Sequence, residues 1–219
     1  VVSCMVENDI NEQVIGIAYD GTGYGDDKKI WGGEFLLCNR KEYVRIGHLQ
    51  YFNLPGGESA IKNPWKIALS LLYKVYNDDF INYIPNNLKN KSVSVIKNII
   101  DKKINSPETS SIGRLFDGIS SILGVNNKVT FEGEAAINLE NICDENNSET
   151  YIFQIIRDKE SFIFCFDDII KGIIYDINSK NNISIIGKKF HNTVVKGTIE
   201  MALSIREDTN INTIVINVT

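Results

Sequence analysis

VIGIAYDGTGYGDDKKIWGGEFLL, residues 14–37, sets glycines and carboxylates between two apolar runs. The first run is rich in Val and Ile and ends at Asp20 and Gly21, which predicts a buried strand. Residues 30–38 and 42–52 also have the composition of strands and are joined by short polar connections. The three runs together predict an antiparallel meander at the start of a sheet.

The glycine-rich part of this stretch leaves two interpretations open. It is not a P-loop, because no Gly-Lys-Ser/Thr follows, and it is not a dinucleotide fingerprint, because a strand follows where a helix should begin. A hairpin turn that needs positive φ explains the glycines. A strand-loop-strand cradle whose N–H groups bind phosphate explains them too. Gly32 and Gly33 favour the cradle, since glycine within a strand often marks a close backbone approach.

Asp20, at the end of the first strand, is open to two readings as well. Its carboxylate suits a metal ligand or a group that orients a phosphate, and it equally suits an aspartate satisfied within a turn. Farther on, Arg114 and Asp117 lie three residues apart, so a helix places them on one face. They are either a surface ion pair of little energetic worth or a ligand-facing pair on a helix capped by Ser110 and Ser111.

The remaining candidates are weaker when taken singly. Glu132 and Glu134 lie near the start of a predicted helix. Either they belong to a glycine-backed loop that faces a ligand, or they only interact favourably with the helix dipole. His48 and His191 form no His-x-x-x-His metal pair. We expect each histidine to have a packing or capping role.

The chain as a whole predicts one mixed α/β lobe over residues 1–219. It divides into a strand meander (13–52), a helical middle (62–143) and a sheet with a long helix (150–219). Apolar residues recur at helical spacing from Pro64 onwards. We predict helices from Pro64 and over 86–104, 110–124, 132–143, 167–177 and about 183–205, and strands over 151–158, 161–166 and 212–218.

Composition limits the function classes. The 219 residues are 43% hydrophobic and 23% charged, with a net charge of −5. Neither nucleic acid nor an anionic membrane is therefore expected as the main partner. No apolar run approaches the roughly 20 residues of a membrane span, and no signal-peptide pattern opens the chain. The scattered cysteines predict reduced thiols in a cytoplasmic protein: Cys4, Cys38, Cys143 and Cys165.

Five segments, in order, resemble the Kae1-like region of the HypF carbamoyltransferases. They spread over nearly the whole chain, and the resemblance implies a Kae1-type α/β lobe of the actin, Hsp70 and sugar-kinase superfamily, with a mixed sheet, a strand meander and packed helices. The segments are IGIAYDGTGYGDDKKIWGGEFLL, LPGGESAIKNPWKIAL, SSIGRLFDGISSILG, VTFEGEAAINLE and FHNT.

The resemblance also implies an activity. In the family, upstream domains use ATP and carbamoyl phosphate to make a carbamoyl-adenylate. The Kae1-like region then passes the carbamoyl group to the C-terminal cysteine thiol of HypE during [NiFe]-hydrogenase maturation. HypE, carbamoyl phosphate and ATP are thus the implied partners, with no nucleic acid and no membrane.

Matched positions carry the family's site residues. Asp20 matches a catalytic carboxylate that helps to bind a divalent metal, iron or zinc. Asp20 to Gly25 would form the loop that receives the nucleotide phosphates, with the N–H groups from Gly21 to Gly25 as donors. Asp117 and Gly133 match ribose contacts, and Glu134 is a neighbour of that contact. The phosphate-loop residues are Gly21, Thr22, Gly23 and Gly25.

The sequence also departs from the family pattern. The family's His-x-x-x-His metal pair would precede Val1. Its Ser-Gly-Gly turn, which a further metal-binding Asp follows, does not match Asn217 to Thr219. Asp20 alone would hold a metal weakly. We therefore expect an excised piece of a longer enzyme, inactive by itself. The alternatives are a non-catalytic module that binds nucleotide or HypE, and another Kae1-type carbamoyltransferase, such as one that forms threonylcarbamoyl groups; WGGEF and PGGESA favour HypF.

Overall fold

The computed structural model describes residues 1–159 and 161–218. Thr219, one of the residues expected to depart from the family's C-terminal turn, lies outside the described residues. The strands are β1 Val14–Tyr24, β2 Ile30–Cys38, β3 Tyr43–Leu49, β4 Phe52–Asn53, β5 Glu108–Thr109, β6 Gln154–Asp158, β7 Ser161–Cys165 and β8 Ile214–Val218. The helices are α1 Val2–Glu7, α2 Glu58–Ile61, α3 Pro64–Tyr76, α4 Val93–Asp101, α5 Ile112–Ile122, α6 Glu134–Asn141, α7 Asp167–Asn178 and α8 Ile183–Thr209, with 3-10 segments at Asn77–Tyr83 and Asn86–Leu88.

The described strands form one mixed sheet. β1, β2 and β3 pair antiparallel, which confirms the predicted meander. β8 adds to β1 in parallel, and β7 adds to β3 in parallel, with β6 antiparallel to β7. The two-residue strand β5 pairs in parallel with β2 at Ile30, the first residue of β2, and β4 pairs antiparallel with β5. The first and last of the described strands are therefore neighbours, and this brings residues about 200 positions apart into one region.

The predicted loop from Gly21 to Gly25 is wrong in its conformation, because β1 continues to Tyr24. Tyr19 pairs with Gly33 and Gly23 pairs with Trp31, so Asp20, Gly21 and Thr22 together face Gly32 alone. This irregularity is a bulge, which bends a strand and re-aims its side chains. The reversal of the chain lies later, where the N–H of Gly25 donates to the carbonyl of Lys29 at 2.9 Å.

The helix predicted over residues 86–104 is also shorter in the structure. A 3-10 segment occupies Asn86–Leu88, and α4 begins only at Val93. Asn90 and Ser92 interrupt the apolar period, and both residue types favour turns and caps over helix interiors. The predicted helix start at Pro64 is confirmed.

Helices cover the sheet and bury its apolar side chains. Ile15 and Ile17 of β1 share a core with Leu71 of α3 and Leu115 of α5. α8 packs closely against β7 at Gly197, where an added Cβ would collide with the ring of Phe164. The four cysteines are free thiols. Within the described ranges, no helix combines the length and hydropathy needed to cross a bilayer.

Candidate functional site

The bulge of β1 opens onto a cavity of about 920 Å³. The cavity lies between β1, the first turns of α5, the start of α6, one face of α8 and the strand β8. Four of the predicted site residues line it: Asp20, Gly21, Asp117 and Gly133. The fold therefore brings together residues of the first strand, of the middle helices and, as further walls, of the last helix and strand.

The Ser111 side chain and a close backbone approach hold Asp20 and Gly21 against the start of α5. The Ser111 hydroxyl accepts from the N–H of Arg114 at 3.1 Å and so caps α5, as predicted. The same hydroxyl donates to the carbonyl of Asp20, at 2.9 Å. A Cβ at Gly113 would lie 3.2 Å from the Cα of Gly21. One serine thus fixes both the helix end and the bulge.

We expect Ser111→Ala to lower the free energy of unfolding by about 1 kcal/mol, because the helix loses its cap. The variant should also weaken binding of the nucleoside that the family resemblance implies, since the bulge loses its bond to α5. Asn182 is the matched control: its side chain caps α8 by accepting from the N–H of Ser184 at 3.1 Å. Asn182→Ala should cost similar stability in urea unfolding with no loss of binding in calorimetry. Equal binding by both variants would contradict the bulge contact.

Gly32 and Gly33 make the close backbone approach that their pattern indicates, but they approach the chain itself. A Cβ at Gly32 would lie 2.5 Å from the carbonyl oxygen of Asp20, and one at Gly33 would collide with the carbonyl oxygen of Ser110. These glycines let β2 pack against the bulge and against the segment that enters α5. Packing within the chain therefore explains both residues, and the phosphate cradle stays a prediction.

Glu34, which follows the two glycines, is a buried structural carboxylate. It accepts from the N–H groups of Gly32 and Gly33 at 3.1 Å each, and the Nε of Arg45 donates to it at 2.5 Å. Gly32, Gly33 and Glu34 thus form one hydrogen-bonded unit, and the ion pair of Glu34 with Arg45 joins β2 to β3. The local sequence around Glu34 did not indicate this ion pair.

Both histidines have packing contacts, in line with the sequence expectation. The His48 ring lies 4.8 Å from that of Tyr51, and burial together with the charge of Arg45 lowers the pKa of His48. The His191 ring packs on Phe116 at 5.1 Å, and its Nδ1 lies 2.8 Å from the carbonyl oxygen of Gly187. Neither histidine lines the cavity.

Asp20 lies at the cavity wall, and its carboxylate is already engaged. The N–H of Gly21 donates to its Oδ1 at 2.5 Å. Among the described residues, no group of three or more His, Cys, Asp or Glu side chains could hold a metal ion. Iron and zinc take several protein ligands. The residues around Asp20 in this chain therefore do not by themselves fit the metal that the resemblance implies.

The other residues of the predicted phosphate loop lie away from the cavity. Thr22, Gly23 and Gly25 are not among the residues that line it in the described part of the chain. Gly23 is paired with Trp31 in the sheet, and a Cβ at Gly25 would overlap the Trp31 ring. The glycines after Gly21 therefore serve the hairpin.

Asp117 and Arg114 form a buried pair at the cavity. Arg114 Nε lies 3.1 Å from Asp117 Oδ2, and the two side chains are 2% and 4% exposed. Burial raises the pKa of Asp117 to about 6, while the charge of Arg114 opposes that rise. The alternative of a surface ion pair is wrong, because both groups are shielded from water.

Gly133 and Glu134 begin α6 in different ways. Gly133 is the N-cap with φ of +84°, a conformation that favours glycine. The carboxylate of Glu134 turns back and accepts from the N–H of Thr130 at 2.6 Å and from its hydroxyl at 2.8 Å. These hydrogen bonds lower the pKa of Glu134. Glu134 stabilises the start of the helix and does not line the cavity.

Sequence reasoning missed one wall of the cavity. Tyr19 and Thr198 meet there, with 2.5 Å between their hydroxyl oxygens. Burial raises the pKa of Tyr19 to about 12, so its hydroxyl is neutral near pH 7. The helical period of α8 indicates which of its residues lie on one face. Nothing in the local sequence shows that this face lines the same cavity as Asp117. The apolar members of this wall are Val194, Val195, Ile199, Ile216 and Val218.

Comparison with known proteins identifies the fold and the family. A family model described as "Carbamoyltransferase, Kae1-like Domain, second subdomain" matches residues 16–217. The chain is 41% identical, over 92% of its length, to carbamoyltransferase HypF of Synechocystis sp.. It is 32% identical, over 97% of its length, to the probable carbamoyltransferase HypF of Methanocaldococcus jannaschii. It spans 28% of the length of each of these relatives.

Solved structures agree with these matches. A crystal structure of full-length HypF in the phosphate- and nucleotide-bound form superposes with a TM-score of 0.92 at 40% identity, covering 99% of this chain and 34% of that one. HypF of T. kodakarensis superposes with a TM-score of 0.85 at 28% identity, covering all of this chain and 29% of that one. The mixed sheet with packed helices is the predicted Kae1-like fold, consistent with the actin and Hsp70 architecture. The chain therefore belongs to the HypF carbamoyltransferase family, within its Kae1-like domain.

Proposed function

We propose that this domain binds an adenine nucleotide, the carbamoyl-adenylate, in the cavity beside the β1 bulge. In the whole enzyme, it takes part in transfer of the carbamoyl group to the C-terminal cysteine thiol of HypE during [NiFe]-hydrogenase maturation. The observation that carries the proposal is the meeting of Asp20, Gly21, Asp117 and Gly133 around one cavity of about 920 Å³. A relative 40% identical to this chain has been solved in a nucleotide-bound form, which supports the choice of ligand.

The cavity walls suggest how the nucleotide lies. Asp117 offers carboxylate oxygens to ribose hydroxyls, and Gly133 leaves room at the start of α6, since a Cβ there meets nothing within 4 Å. The apolar side chains of α8 and β8 suit the faces of an adenine ring. The acyl phosphate then points towards Asp20 and Gly21, which also line the cavity.

The proposed transfer is an acyl transfer to sulfur. The HypE thiol loses its proton to solvent, its sulfur forms a bond to the carbamoyl carbon, and the bond from that carbon to the phosphate oxygen breaks, so AMP leaves. Asp20 is placed to accept a hydrogen bond from the carbamoyl NH₂ group and thereby to orient the carbonyl. Its Oδ1 accepts from the N–H of Gly21, and a carboxylate has a second oxygen that can accept the bond from the NH₂ group.

Further parts of the proposal concern the longer enzyme. Carbamoyl phosphate and ATP would be used by domains upstream of this one. Asp20 is proposed as one ligand of a divalent metal, iron or zinc, whose other ligands would come from outside the described residues; we assign no step to that metal. The free thiols suit a reducing, cytoplasmic compartment.

Two alternatives lead to different measurements. A non-catalytic module would bind nucleotide or HypE in calorimetry, yet the longer enzyme that carries it would transfer no carbamoyl group. Another Kae1-type enzyme, such as a threonylcarbamoyltransferase, would modify a hydroxyl or amine instead of the HypE thiol. The named relatives favour the HypF reaction over this second alternative.

Nucleoside binding should depend on pH through Asp117. A ribose hydroxyl donates more strongly to an ionised carboxylate than to a protonated one. Because burial raises the pKa of Asp117 to about 6, adenosine affinity should rise as pH rises through that value and level off above it. Calorimetry with adenosine from pH 5 to about 8 measures this, since the ligand has no phosphate that titrates in the range.

Variants of two aspartates separate the site from a general pH effect. Asp117→Asn should bind adenosine more weakly at pH 8 and show no dependence on pH. Asp168 is the control, a partly exposed carboxylate on α7 that pairs with Lys171 at 3.0 Å and lies outside the cavity. Asp168→Asn should keep the wild-type profile. A flat wild-type profile, or no adenosine binding at all, would argue against this cavity as the nucleoside site.

A further inference from the structure

Arg114 is a buried cation with hydrogen-bonding capacity to spare. Its side chain is 2% exposed although the residue lines the cavity. Its Nη2 donates to Glu132 Oε1 at 3.3 Å, and its Nε lies near Asp117 without forming a hydrogen bond. Its Nη1 is buried and has no hydrogen-bond partner among residues 1–159 and 161–218. A guanidinium left with unused donors away from water is costly, so an oxygen-rich ligand group has much to gain here.

The carboxylate of Glu132 lies where the bulge and the guanidinium meet. A Cβ added to Gly21 would collide with Glu132 Oε1 and would lie 3.3 Å from Arg114 Nη2. Glu132 therefore covers both Gly21 and one side of Arg114. Its side chain is 63% exposed, so it can swing away into solvent without leaving a buried group behind.

Two of the backbone donors that the sequence suggested for a phosphate, at Gly21 and Gly25, are already in use. The N–H of Gly21 donates to Asp20, and that of Gly25 donates to Lys29. Among the described residues that line the cavity, Arg114 is the cation. Two carboxylates lie against it: Asp117, which is buried, and Glu132, which is not. An anionic ligand that approaches Gly21 meets the negative charge of Glu132 first.

We propose that Arg114 binds the phosphate group of the nucleotide and that the Glu132 carboxylate competes with that phosphate for the same guanidinium and the same surface of Gly21. Binding of the phosphate displaces Glu132, and Asp117 stays paired. A guanidinium donates to phosphate and to carboxylate in the same forked geometry. This inference rests on the proposed function, because it needs the nucleotide in this cavity.

The test compares ligands with and without a phosphate. Calorimetry on the 219-residue chain would use AMP, adenosine and inorganic phosphate. Glu132→Gln should strengthen AMP binding on the order of tenfold, because one negative charge next to the ligand anion is removed. Adenosine affinity should not change. Inorganic phosphate alone should gain affinity too, but by itself should bind far more weakly than AMP, which identifies the nucleotide as the source of the phosphate.

Two more variants sharpen the result. Glu140→Gln removes the same charge from an exposed position on α6 that does not line the cavity, and it should leave AMP affinity unchanged. Arg114→Gln should lose the preference for AMP over adenosine. Should that variant fail to fold, Glu132→Gln decides the matter by itself, since its side chain is exposed.

The outcomes separate this inference from the function on which it rests. Adenosine and AMP binding equally to the wild type, with no gain for AMP in Glu132→Gln, would overturn the role of Arg114 and leave nucleoside binding in place. A gain that is equal for adenosine and AMP would overturn it as well. Failure of every ligand to bind every variant would reject the nucleotide site itself, and the inference with it.

Discussion

Gly33→Ala is expected to lower the free energy of unfolding by about 3 kcal/mol. The added Cβ would collide with the carbonyl oxygen of Ser110 and lie 3.0 Å from the Cβ of Leu49. Neither neighbour can yield easily. The N–H of Ser110 donates to the carbonyl of Ile30 at 2.9 Å, which fixes the segment entering α5, and Leu49 is buried. Urea unfolding measures the loss.

The same substitution should disturb the site as well as the core. If β2 moves away from Ser110, α5 moves relative to the bulge, and the arrangement of Asp117 and Asp20 around the cavity changes. Nucleoside affinity in calorimetry should therefore fall, even at temperatures where the variant remains folded. Stability and binding would change together because one contact supports both.

Gly23 provides the matched control for stability. It lies in the same hairpin, yet the nearest atom to an added Cβ is the carbonyl oxygen of Trp31 at 3.5 Å, an ordinary contact. Gly23→Ala should change the free energy of unfolding by less than about 1 kcal/mol. Equal losses in the two variants would mean that the hairpin, and not the contact with Ser110, is sensitive to side chains.

Much of the fold follows from local pattern. The limits of β2 at Ile30 and Cys38 and the start of α3 at Pro64 match the sequence prediction, because apolar runs end there at polar residues or at a proline. Glycine misled the prediction at Gly21–Gly25, since local sequence cannot distinguish a turn from a bulge. That choice depends on pairing with Gly32 and Trp31.

The candidate site was less accessible to such reasoning. The spacing of Arg114 and Asp117 predicted that the two share a helix face, and their 3.1 Å separation agrees. Their burial depends on β1 and α6, which pack on α5 from separate parts of the chain. Likewise, Glu34 and Arg45 look like surface charges until the pairing of β2 with β3 brings them together. These charged groups are buried by tertiary packing, which a short stretch of sequence does not reveal.

In a full-length protein of this family that carries the present domain, Asp20→Ala is expected to reduce carbamoyl transfer to HypE on the order of 100-fold or more. Removing one group that orients or stabilises a reacting carbonyl typically costs this much. Formation of the carbamoyl-adenylate should continue at the wild-type rate, because upstream domains are proposed to perform it. Mass spectrometry of the HypE C-terminal cysteine reports the transfer, and pyrophosphate release from ATP reports the adenylation.

Asp26→Ala is the matched control, since Asp26 is an exposed carboxylate of the same hairpin, accepts from the Tyr43 hydroxyl at 2.6 Å and lies outside the cavity. It should transfer carbamoyl groups normally.

Asp20→Asn keeps the size and one acceptor oxygen of Asp20 but loses the charge. Retained transfer in this variant would assign Asp20 an orienting role, and lost transfer would assign a role to its charge. Wild-type transfer by Asp20→Ala would remove Asp20 from the mechanism. Equal loss of adenylation and transfer would place it in nucleotide binding, because only a residue that acts after adenylation can separate the two steps.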